Sequence, residues 1–179
     1  METKDVIELL RHQRHDLMNH MQIIQGYLSM GKKEKVEEKL SSLMQEFHNE
    51  RKLMNLNAPE LAIWLIQFNT ISKNIRITYN IHTERKDLTF IDEVIMAACV
   101  SISNAYEQSG VKTELYDMEL DIHDAIEDAG VVLKYAIWGK FLDKEKIKLL
   151  LKKINLGITI EVMDSEPDSF ICEVSIPSD

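Results

Sequence analysis

Residues 14–40 read RHDLMNHMQIIQGYLSMGKKEKVEEKL, and this stretch decides the fold of the N-terminal part of the chain. Its first half continues a pattern that begins near residue 3, in which apolar residues recur every three or four positions among good helix formers. The pattern predicts a helix over 3–30, with apolar positions Ile7, Leu10, Leu17, Met21, Ile24 and Leu28. Gly31 is a natural stop for this helix, because glycine adopts a left-handed backbone without steric cost.

A second helix is predicted almost directly after Gly31, with apolar positions Val36, Leu40, Leu43, Phe47 and Met54. So short a connection makes the two helices antiparallel. A lone hairpin leaves much of each apolar stripe in water. We expect a symmetric dimer in which two hairpins form a four-helix bundle, since both stripes have the seven-residue rhythm of bundle cores. Packing of the hairpin against the rest of the same chain is the alternative.

The pattern changes after residue 55, which separates a predicted domain 1–55 from a predicted domain 56–179. Asn57-Ala58-Pro59-Glu60 has the composition of a helix start, with a capping side chain, an early proline and a glutamate. Helices and strands then follow in the order αβαββαββ, with strands predicted over 75–81, 113–122, 130–138, 157–163 and 170–176. The predicted fold class is therefore α+β, an antiparallel helical hairpin followed by a two-layer α/β sandwich.

The bulk composition limits the possible functions. A formal net charge of −9 and a pI near 5.2 argue against general binding of nucleic acid, whose phosphates would be repelled. No apolar run approaches the roughly 20 residues of a membrane span, and residues 1–20 do not resemble a signal peptide. We expect a cytoplasmic protein with no membrane partner. Cys99 and Cys172 lie in apolar runs that are typical of reduced, buried thiols.

Residues 11–20, RHQRHDLMNH, place three histidines and two arginines within three helical turns of an acidic chain. On a helix His15 shares a face with Asn19 and Arg11, offset from the apolar stripe, so its side chain is expected to point outward. An exposed imidazole can accept a phosphoryl group when one ring nitrogen is unprotonated and a hydrogen bond holds the other. Arg11 or Arg14 would stabilise the negative charge of the transferring group, and Asn19 would orient it.

Spacing alone leaves other interpretations open. Histidine, arginine and aspartate are common on solvated helix faces, so a plain surface histidine is the ordinary interpretation. A metal site of His12, His15 and Asp16 is another, although it has no third histidine or cysteine at ligand spacing. Asp16 lies about 100° around the helix from His15, so we expect it to act on helix stability or on the ring tautomer only indirectly.

The run RHDLMNHMQIIQGYL, residues 14–28, resembles the phosphoacceptor helix of the sporulation initiation phosphotransferase B family, which is shared with a subset of sensor histidine kinases. The combination R-H-D-x-x-N followed by apolar residues and Gly-x-Leu carries the resemblance, and length and element order extend it over the whole chain. It implies that His15 takes a phosphoryl group from the aspartate of one response regulator and passes it to an aspartate of a second. It also implies a dimeric four-helix bundle and a C-terminal module similar to a histidine-kinase ATP-binding domain that has lost its nucleotide site.

The C-terminal sequence indicates whether a nucleotide site is present. Kinase ATP-binding domains share an asparagine box, an Asp-x-Gly-x-Gly loop and a second glycine-rich loop. Here Asn104-Ala105-Tyr106-Glu107 is either a remnant of the first or ordinary surface polarity, Trp138-Gly139-Lys140 lacks the aspartate, and beyond it only Gly157 remains. We therefore expect no ATP use and no cofactor of the chain's own, with Mg²⁺ bound by the receiver partner.

The leading hypothesis is a phosphorelay histidine phosphotransferase that works with response-regulator receiver domains. His15 would be the nucleophile and carrier, Arg11 and Arg14 would stabilise charge, and Asn19 would orient the group. The alternatives are a histidine kinase with a divergent ATP site, and a dimeric docking module for response regulators that performs no chemistry.

Overall fold

The computed structural model describes residues 3–85, 87–111, 113–125, 130–141, 143–163 and 166–178. The chain divides into two compact units, residues 1–51 and residues 52–179. The first unit is helical, and the second contains all of the strands in the described part of the chain.

The first unit is a hairpin of two helices, α1 (Thr3–Ser29) and α2 (Lys33–Met54). The last turn of α2 belongs to the second unit. The short turn between the helices makes them antiparallel. The amide of Lys32 donates to the carbonyl of Tyr27 at 3.0 Å, and Gly31 has a φ of 69°. This is a Schellman motif, which uses the left-handed region that glycine enters without strain. The predicted helix stop at Gly31 is confirmed.

The apolar stripes of the hairpin are present but largely uncovered. None of the 27 residues of α1 is buried. Leu10 is 58% exposed and Leu28 is 62% exposed, and Ile7, Leu17 and Met21 are exposed as well. On α2, Leu43 is buried whereas Phe47 is 49% exposed. The two helices alone therefore leave a band of apolar surface in contact with water.

The second unit is a mixed sheet with helices. Its elements are α3 (Pro59–Ile71), β1 (Ile75–Ile81), a 3₁₀ turn (Thr89–Ile91), α4 (Asp92–Ser109), β2 (Tyr116–Asp124), β3 (Val131–Trp138), α5 (Lys144–Leu151), β4 (Thr159–Met163) and β5 (Ser169–Ile176). The strand order is β1-β2-β3-β5-β4, with β1 and β2 parallel and the other neighbours antiparallel. The predicted order of elements and the α+β class are confirmed.

One face of this sheet packs into the core with the helices. Along β2, Met118, Leu120 and Ile122 are almost fully buried in the same cluster as residues of α3, α4 and α5. Glu119, Asp121 and His123, which alternate with them along the strand, are only partly buried and lie on the opposite face. The unit therefore has two layers, and one face of the sheet carries polar side chains.

Cys99 and Cys172 lie in this core as free, buried thiols. The hydroxyl of Tyr135 donates to Sγ of Cys99 at 3.0 Å. Burial raises the pKa of each thiol to about 12. Because the reactive species is the thiolate, both cysteines are chemically inert at neutral pH, and the prediction of buried thiols is confirmed.

The N-terminus of α3 is capped from another element. Its N-cap residue is Ala58, which offers no side-chain hydrogen bond, so the capping side chain predicted around Asn57 is wrong. Instead, the carboxylate of Asp92 accepts hydrogen bonds from the amide of Glu60 at 2.9 Å and from the amide of Leu61 at 3.0 Å. Asp92 is only 4% exposed and is the first residue of α4, so this bond pair joins the starts of two helices.

Replacing Asp92 tests the importance of this cap. Asp92→Ala leaves two amides at the start of α3 without their acceptor, and we expect the free energy of unfolding to fall by about 1–3 kcal/mol. Urea denaturation followed by circular dichroism measures the change. Glu93→Ala is the matched control, because Glu93 is exposed at the next position and its removal should change stability by no more than about 0.5 kcal/mol. Equal effects of the two substitutions would contradict the assignment.

Candidate functional site

His15 lies near the middle of α1, and its side chain is 72% exposed. Two neighbouring side chains contact the same nitrogen of its ring. Nδ2 of Asn19, one helical turn further on, is 3.2 Å from His15 Nδ1. Oδ1 of Asp16 is 3.4 Å from the same atom. The structure therefore brings His15 and Asn19 together on an outward-facing surface, with Nε2 as the ring nitrogen that neither contact uses.

The two neighbours require opposite protonation states of Nδ1. An amide N–H of Asn19 donates only to an unprotonated Nδ1, whereas the Asp16 carboxylate accepts only from an Nδ1–H group. A flip of the amide exchanges its oxygen and nitrogen, so the oxygen of Asn19 can take the place of Nδ2. Nδ1–H then has two acceptors, the amide oxygen of Asn19 and the charged carboxylate of Asp16. This geometry favours the Nδ1–H tautomer and leaves the lone pair on Nε2.

Asp16 is the residue of this site that spacing did not identify. We expected it to act on helix stability or on the ring tautomer indirectly, but its carboxylate oxygen lies 3.4 Å from Nδ1 of His15, within direct reach of the ring. The two residues are adjacent in sequence and diverge around the helix, but their side-chain torsions turn both groups toward each other. Rotamers of exposed side chains leave no signal in the sequence, so only coordinates reveal this contact.

Arg11 and Arg14 are both exposed on α1. Within the described residues neither guanidinium takes part in an ion pair, and no hydrogen bond joins either of them to His15. Arg11 lies one turn before His15 and Arg14 directly precedes it. Both side chains are long enough to turn toward an anion that approaches the ring, so they add positive charge to this surface without being fixed in place.

The other two histidines of the segment differ in environment. His12 is exposed, whereas His20 is half-buried and its Nδ1 is enclosed without a hydrogen-bond partner in the described part of the chain. Among the described residues, His12, His15 and Asp16 are not grouped in a way that could hold a metal ion. The grouping that does occur lies on the sheet of the second unit.

The segments that resemble nucleotide-binding motifs are separated by packed aromatic rings. Tyr106, in the asparagine-box segment of α4, packs edge-on against Phe170 with ring centroids 5.4 Å apart. Its ring centroid is also 6.3 Å from that of Phe141, which follows β3. An isolated β-bridge joins Gly110, after α4, to Phe141. Ring contacts and one backbone bridge therefore connect the two segments directly.

Gly139, in the segment that replaces the Asp-x-Gly-x-Gly loop, serves this packing. Its φ is 152°, and a Cβ atom at this position would overlap the ring of Tyr116. The hydroxyl of Tyr116 donates to the carbonyl of Lys140 at 2.7 Å and accepts from the amide of Val111 at 2.8 Å. The ring of Tyr116 thus explains why position 139 is a glycine, without reference to a bound phosphate.

Comparison with known proteins extends these observations. Residues 1–56 match the family model of the Sensor_kinase_SpoOB-type alpha-helical domain. Over 177 residues the chain is 27% identical to sporulation initiation phosphotransferase B of Bacillus subtilis (strain 168), in an alignment that covers 99% of this chain and 91% of that protein.

Solved structures of histidine kinases also match. The blue-light activated histidine kinase of Erythrobacter litoralis gives a TM-score of 0.48 at 12% identity and covers 99% of this chain, which spans 61% of that kinase. The catalytic domain of histidine kinase ThkA gives 0.42 at 19% identity, with 69% of this chain and 92% of that domain covered. ThkA in complex with the response regulator protein TrrA gives 0.42 at 17% identity, with 96% and 62% covered.

The chain combines a helical hairpin that presents an exposed histidine, in the segment that the family model matches, with an α/β unit. The chain is therefore similar to the Sensor_kinase_SpoOB-type alpha-helical domain in its hairpin, and to sporulation initiation phosphotransferase B of Bacillus subtilis along nearly its whole length. That relationship supports a transferase role in two-component phosphotransfer. None of the helices searched, all within the described residues, has the length and apolar character needed to cross a membrane.

The contact between Asp16 and His15 predicts a tautomer preference. We expect the neutral His15 ring to carry its proton mainly on Nδ1, and Asp16→Ala to shift the ring toward the Nε2–H form because the charged acceptor is lost. Two-bond ¹H–¹⁵N spectra of the imidazole measure the ratio of the two tautomers. Glu8→Gln is the control, since it removes an exposed carboxylate of the same helix that makes no described contact with the ring. A tautomer ratio unchanged by Asp16→Ala would contradict the prediction.

Proposed function

We propose that the protein is a phosphorelay histidine phosphotransferase in which His15 takes a phosphoryl group from an aspartate of one response regulator and delivers it to an aspartate of another. The observation that carries the proposal is the exposed imidazole whose Nδ1 is engaged by Asp16 and Asn19. The name of the Bacillus subtilis relative, a sporulation initiation phosphotransferase, supports the same reaction class.

The proposed reaction is a displacement at phosphorus in each direction. The lone pair of His15 Nε2 attacks the phosphorus of the aspartyl phosphate, the bond to the aspartate oxygen breaks, and that oxygen leaves as a carboxylate. The ring, now bonded at Nε2 and protonated at Nδ1, carries a positive charge that the Asp16 carboxylate stabilises. Attack by an aspartate of the second regulator reverses these changes and restores the neutral ring.

Arg11 and Arg14 would stabilise the negative charge that spreads over the phosphoryl oxygens during transfer. Asn19 would hold the ring at Nδ1 and orient the attacking nitrogen. The chain itself is proposed to need no cofactor, because the Mg²⁺ that assists aspartyl phosphate chemistry would be bound by the acidic pocket of the receiver. Response-regulator receiver domains are accordingly the proposed partners, and nucleic acid and membranes are not.

We also propose that the second unit does not supply phosphate from ATP. Three features support this part of the proposal: the missing aspartate after β3, the aromatic packing of Tyr106 with Phe141 and Phe170, and the use of Gly139 by Tyr116. An adenine and its phosphates would have to displace buried rings and a backbone bridge to enter between these segments.

Dimerisation of the hairpin completes the proposal. A two-helix hairpin with no buried residue on α1 exposes apolar surface that a second copy would cover in a four-helix bundle. His15 lies off the stripe of Leu10 and Leu17, so the bundle would leave the imidazole accessible. Two such histidines, one from each copy, would then face solvent.

A transfer assay tests the chemistry. Purified protein is expected to gain acid-labile label from a ³²P-labelled receiver domain, and none from labelled ATP with Mg²⁺. His15→Ala should abolish labelling while leaving the circular dichroism spectrum and thermal midpoint nearly unchanged, because an exposed side chain contributes little packing. His12→Ala is the matched control, an exposed histidine on the same helix that should retain labelling.

The same assay separates the alternatives. Labelling from ATP alone that disappears in His15→Ala would identify a histidine kinase with a divergent nucleotide site. Receiver binding without any labelling would identify a docking module. Arg11→Ala and Arg14→Ala should each slow transfer by roughly tenfold or more without preventing it, because they remove charge stabilisation and leave the nucleophile.

Substitutions on α1 test the dimer. Leu17→Glu places an unpaired charge in the proposed interface and should convert dimer to monomer, as measured by analytical ultracentrifugation. Met18→Glu is the matched control, because Met18 is 52% exposed at the adjacent position but lies outside the predicted stripe. A wild-type chain that sediments as a monomer at every concentration, or equal effects of the two substitutions, would refute the proposed bundle.

A further inference from the structure

Two histidines and an aspartate lie together on the polar face of the sheet in the second unit. His82 directly follows β1, whereas Asp121 and His123 lie two residues apart on β2. The parallel pairing of the two strands sets Ile81 beside Ile122, so the next residues of both strands are neighbours. The imidazole rings of His82 and His123 are stacked, with centroids 4.5 Å apart and an interplanar angle of 7°.

The aspartate of this cluster is held in place by hydrogen bonds. Its Oδ1 lies 3.1 Å from Nε2 of His82 and accepts from Nδ2 of Asn80 at 2.9 Å. The same amide of Asn80 donates to Oε1 of Glu119 at 2.9 Å. An amide in a second layer thus orients the carboxylate toward the histidines, which is the arrangement that orients ligands in protein metal sites.

The distances suit a single ion after a small adjustment. One ligand atom from each of the three side chains lies within 4.8 Å of the others. Ligand atoms around tetrahedral zinc are about 3.4 Å apart, given bonds of about 2.0–2.1 Å. The side chains therefore need to close by up to about 1.4 Å, and the side chain of His82, which is 48% exposed, has room to rotate.

We propose that His82, Asp121 and His123 form a binding site for a divalent transition-metal ion of the Zn²⁺ type. Two imidazoles and one carboxylate are donors that Zn²⁺ accepts, whereas Mg²⁺ and Ca²⁺ prefer sites made of oxygen ligands. Three protein ligands leave a fourth position for water or an exogenous ligand.

The charges around the cluster are compatible with a cation. Lys134 lies across from Asp121 on β3, and its ammonium group is 3.3 Å from Oε2 of Glu173. Glu119, next along the polar face of β2, adds a further carboxylate. Lys134 is therefore offset by an acidic partner. A second lysine, Lys52, donates to the carbonyl of Ile81 at 3.0 Å, and the chain as a whole carries a net charge of −9.

Metal binding at this site would tie an edge strand to the sheet. β1 is at the edge of the strand order and His82 lies just beyond its end, while Asp121 and His123 belong to the neighbouring strand. An ion that binds only the folded pairing stabilises it by mass action. The site lies in a different unit from His15, so it does not depend on the proposed phosphotransfer.

Calorimetry on the full chain tests the proposal with Zn²⁺ as the probe and Mg²⁺ as the negative control. The wild-type protein should bind Zn²⁺ and show a higher thermal midpoint with Zn²⁺ than without it, and Mg²⁺ should do neither. The double substitution His82→Gln with His123→Gln should weaken binding by at least about tenfold and remove the thermal shift. The matched control, His12→Gln with His48→Gln, removes two exposed histidines of the hairpin and should leave both properties intact.

A second measurement keeps the proposal testable if the double variant fails to fold. In ¹H–¹⁵N spectra of the wild-type chain, substoichiometric Zn²⁺ should perturb the imidazole signals of His82 and His123 before those of the other histidines. Binding that survives the double substitution unchanged, binding lost in the hairpin control, or first perturbation of other histidines would each overturn the assignment.

Discussion

The turn around Gly31 fixes the geometry on which the rest of the first unit depends. A left-handed backbone and the hydrogen bond from Lys32 to Tyr27 end α1 and send the chain back almost at once. The two helices must then lie side by side, and each can cover only part of the other's apolar stripe. None of the residues of α1 is buried as a result. A hairpin with so short a connection leaves its apolar stripes largely exposed, and the proposed dimer would cover them.

Much of the fold could be predicted from sequence because its signals are local. The periodicity of α1 and α2, the glycine between them and the alternation of the later strands depend on residues only a few positions apart. The start of β2 shows the limit of such signals. A strand was predicted from residue 113, but the amide of Glu114 donates to the carbonyl of Val111 in a turn, and β2 begins only at Tyr116.

The features that escaped prediction depend on contacts distant in sequence or on side-chain torsions. Asp92 caps α3 from the start of α4, so no local sequence motif predicts this cap. His82 and His123 lie close together only because β1 and β2 pair in parallel in one register. The contact between Asp16 and His15 was not predicted for a different reason. The two residues are adjacent in sequence, but the carboxylate reaches the ring only through the side-chain rotamers. At the candidate site, helical spacing was enough to predict the exposed position of His15 and the face that it shares with Asn19.

Part of the packing of the second unit depends on one tyrosine ring. Burying aromatic rings removes a large apolar area from water, and a buried tyrosine hydroxyl must find hydrogen-bond partners. Tyr116 meets both requirements through the carbonyl of Lys140 and the amide of Val111. The ring in turn requires a glycine at position 139, where a side chain would collide with it. Packing against Tyr116 is therefore a sufficient reason for a glycine at position 139.

Electrostatics reconciles an acidic chain with the proposed acidic partner. The net charge of −9 would repel a receiver's acidic pocket, but at physiological ionic strength charges separated by more than about 8 Å are largely screened from one another. Inside that distance the charges of α1 decide the interaction, and two arginines outnumber the single aspartate beside His15. Positive charge that is exposed and unpaired within the described residues is most effective there, because no intramolecular carboxylate competes for it. Binding of a receiver at the proposed site therefore depends mainly on the positions of Arg11 and Arg14 along the helix. The net negative charge of the whole chain has a smaller effect.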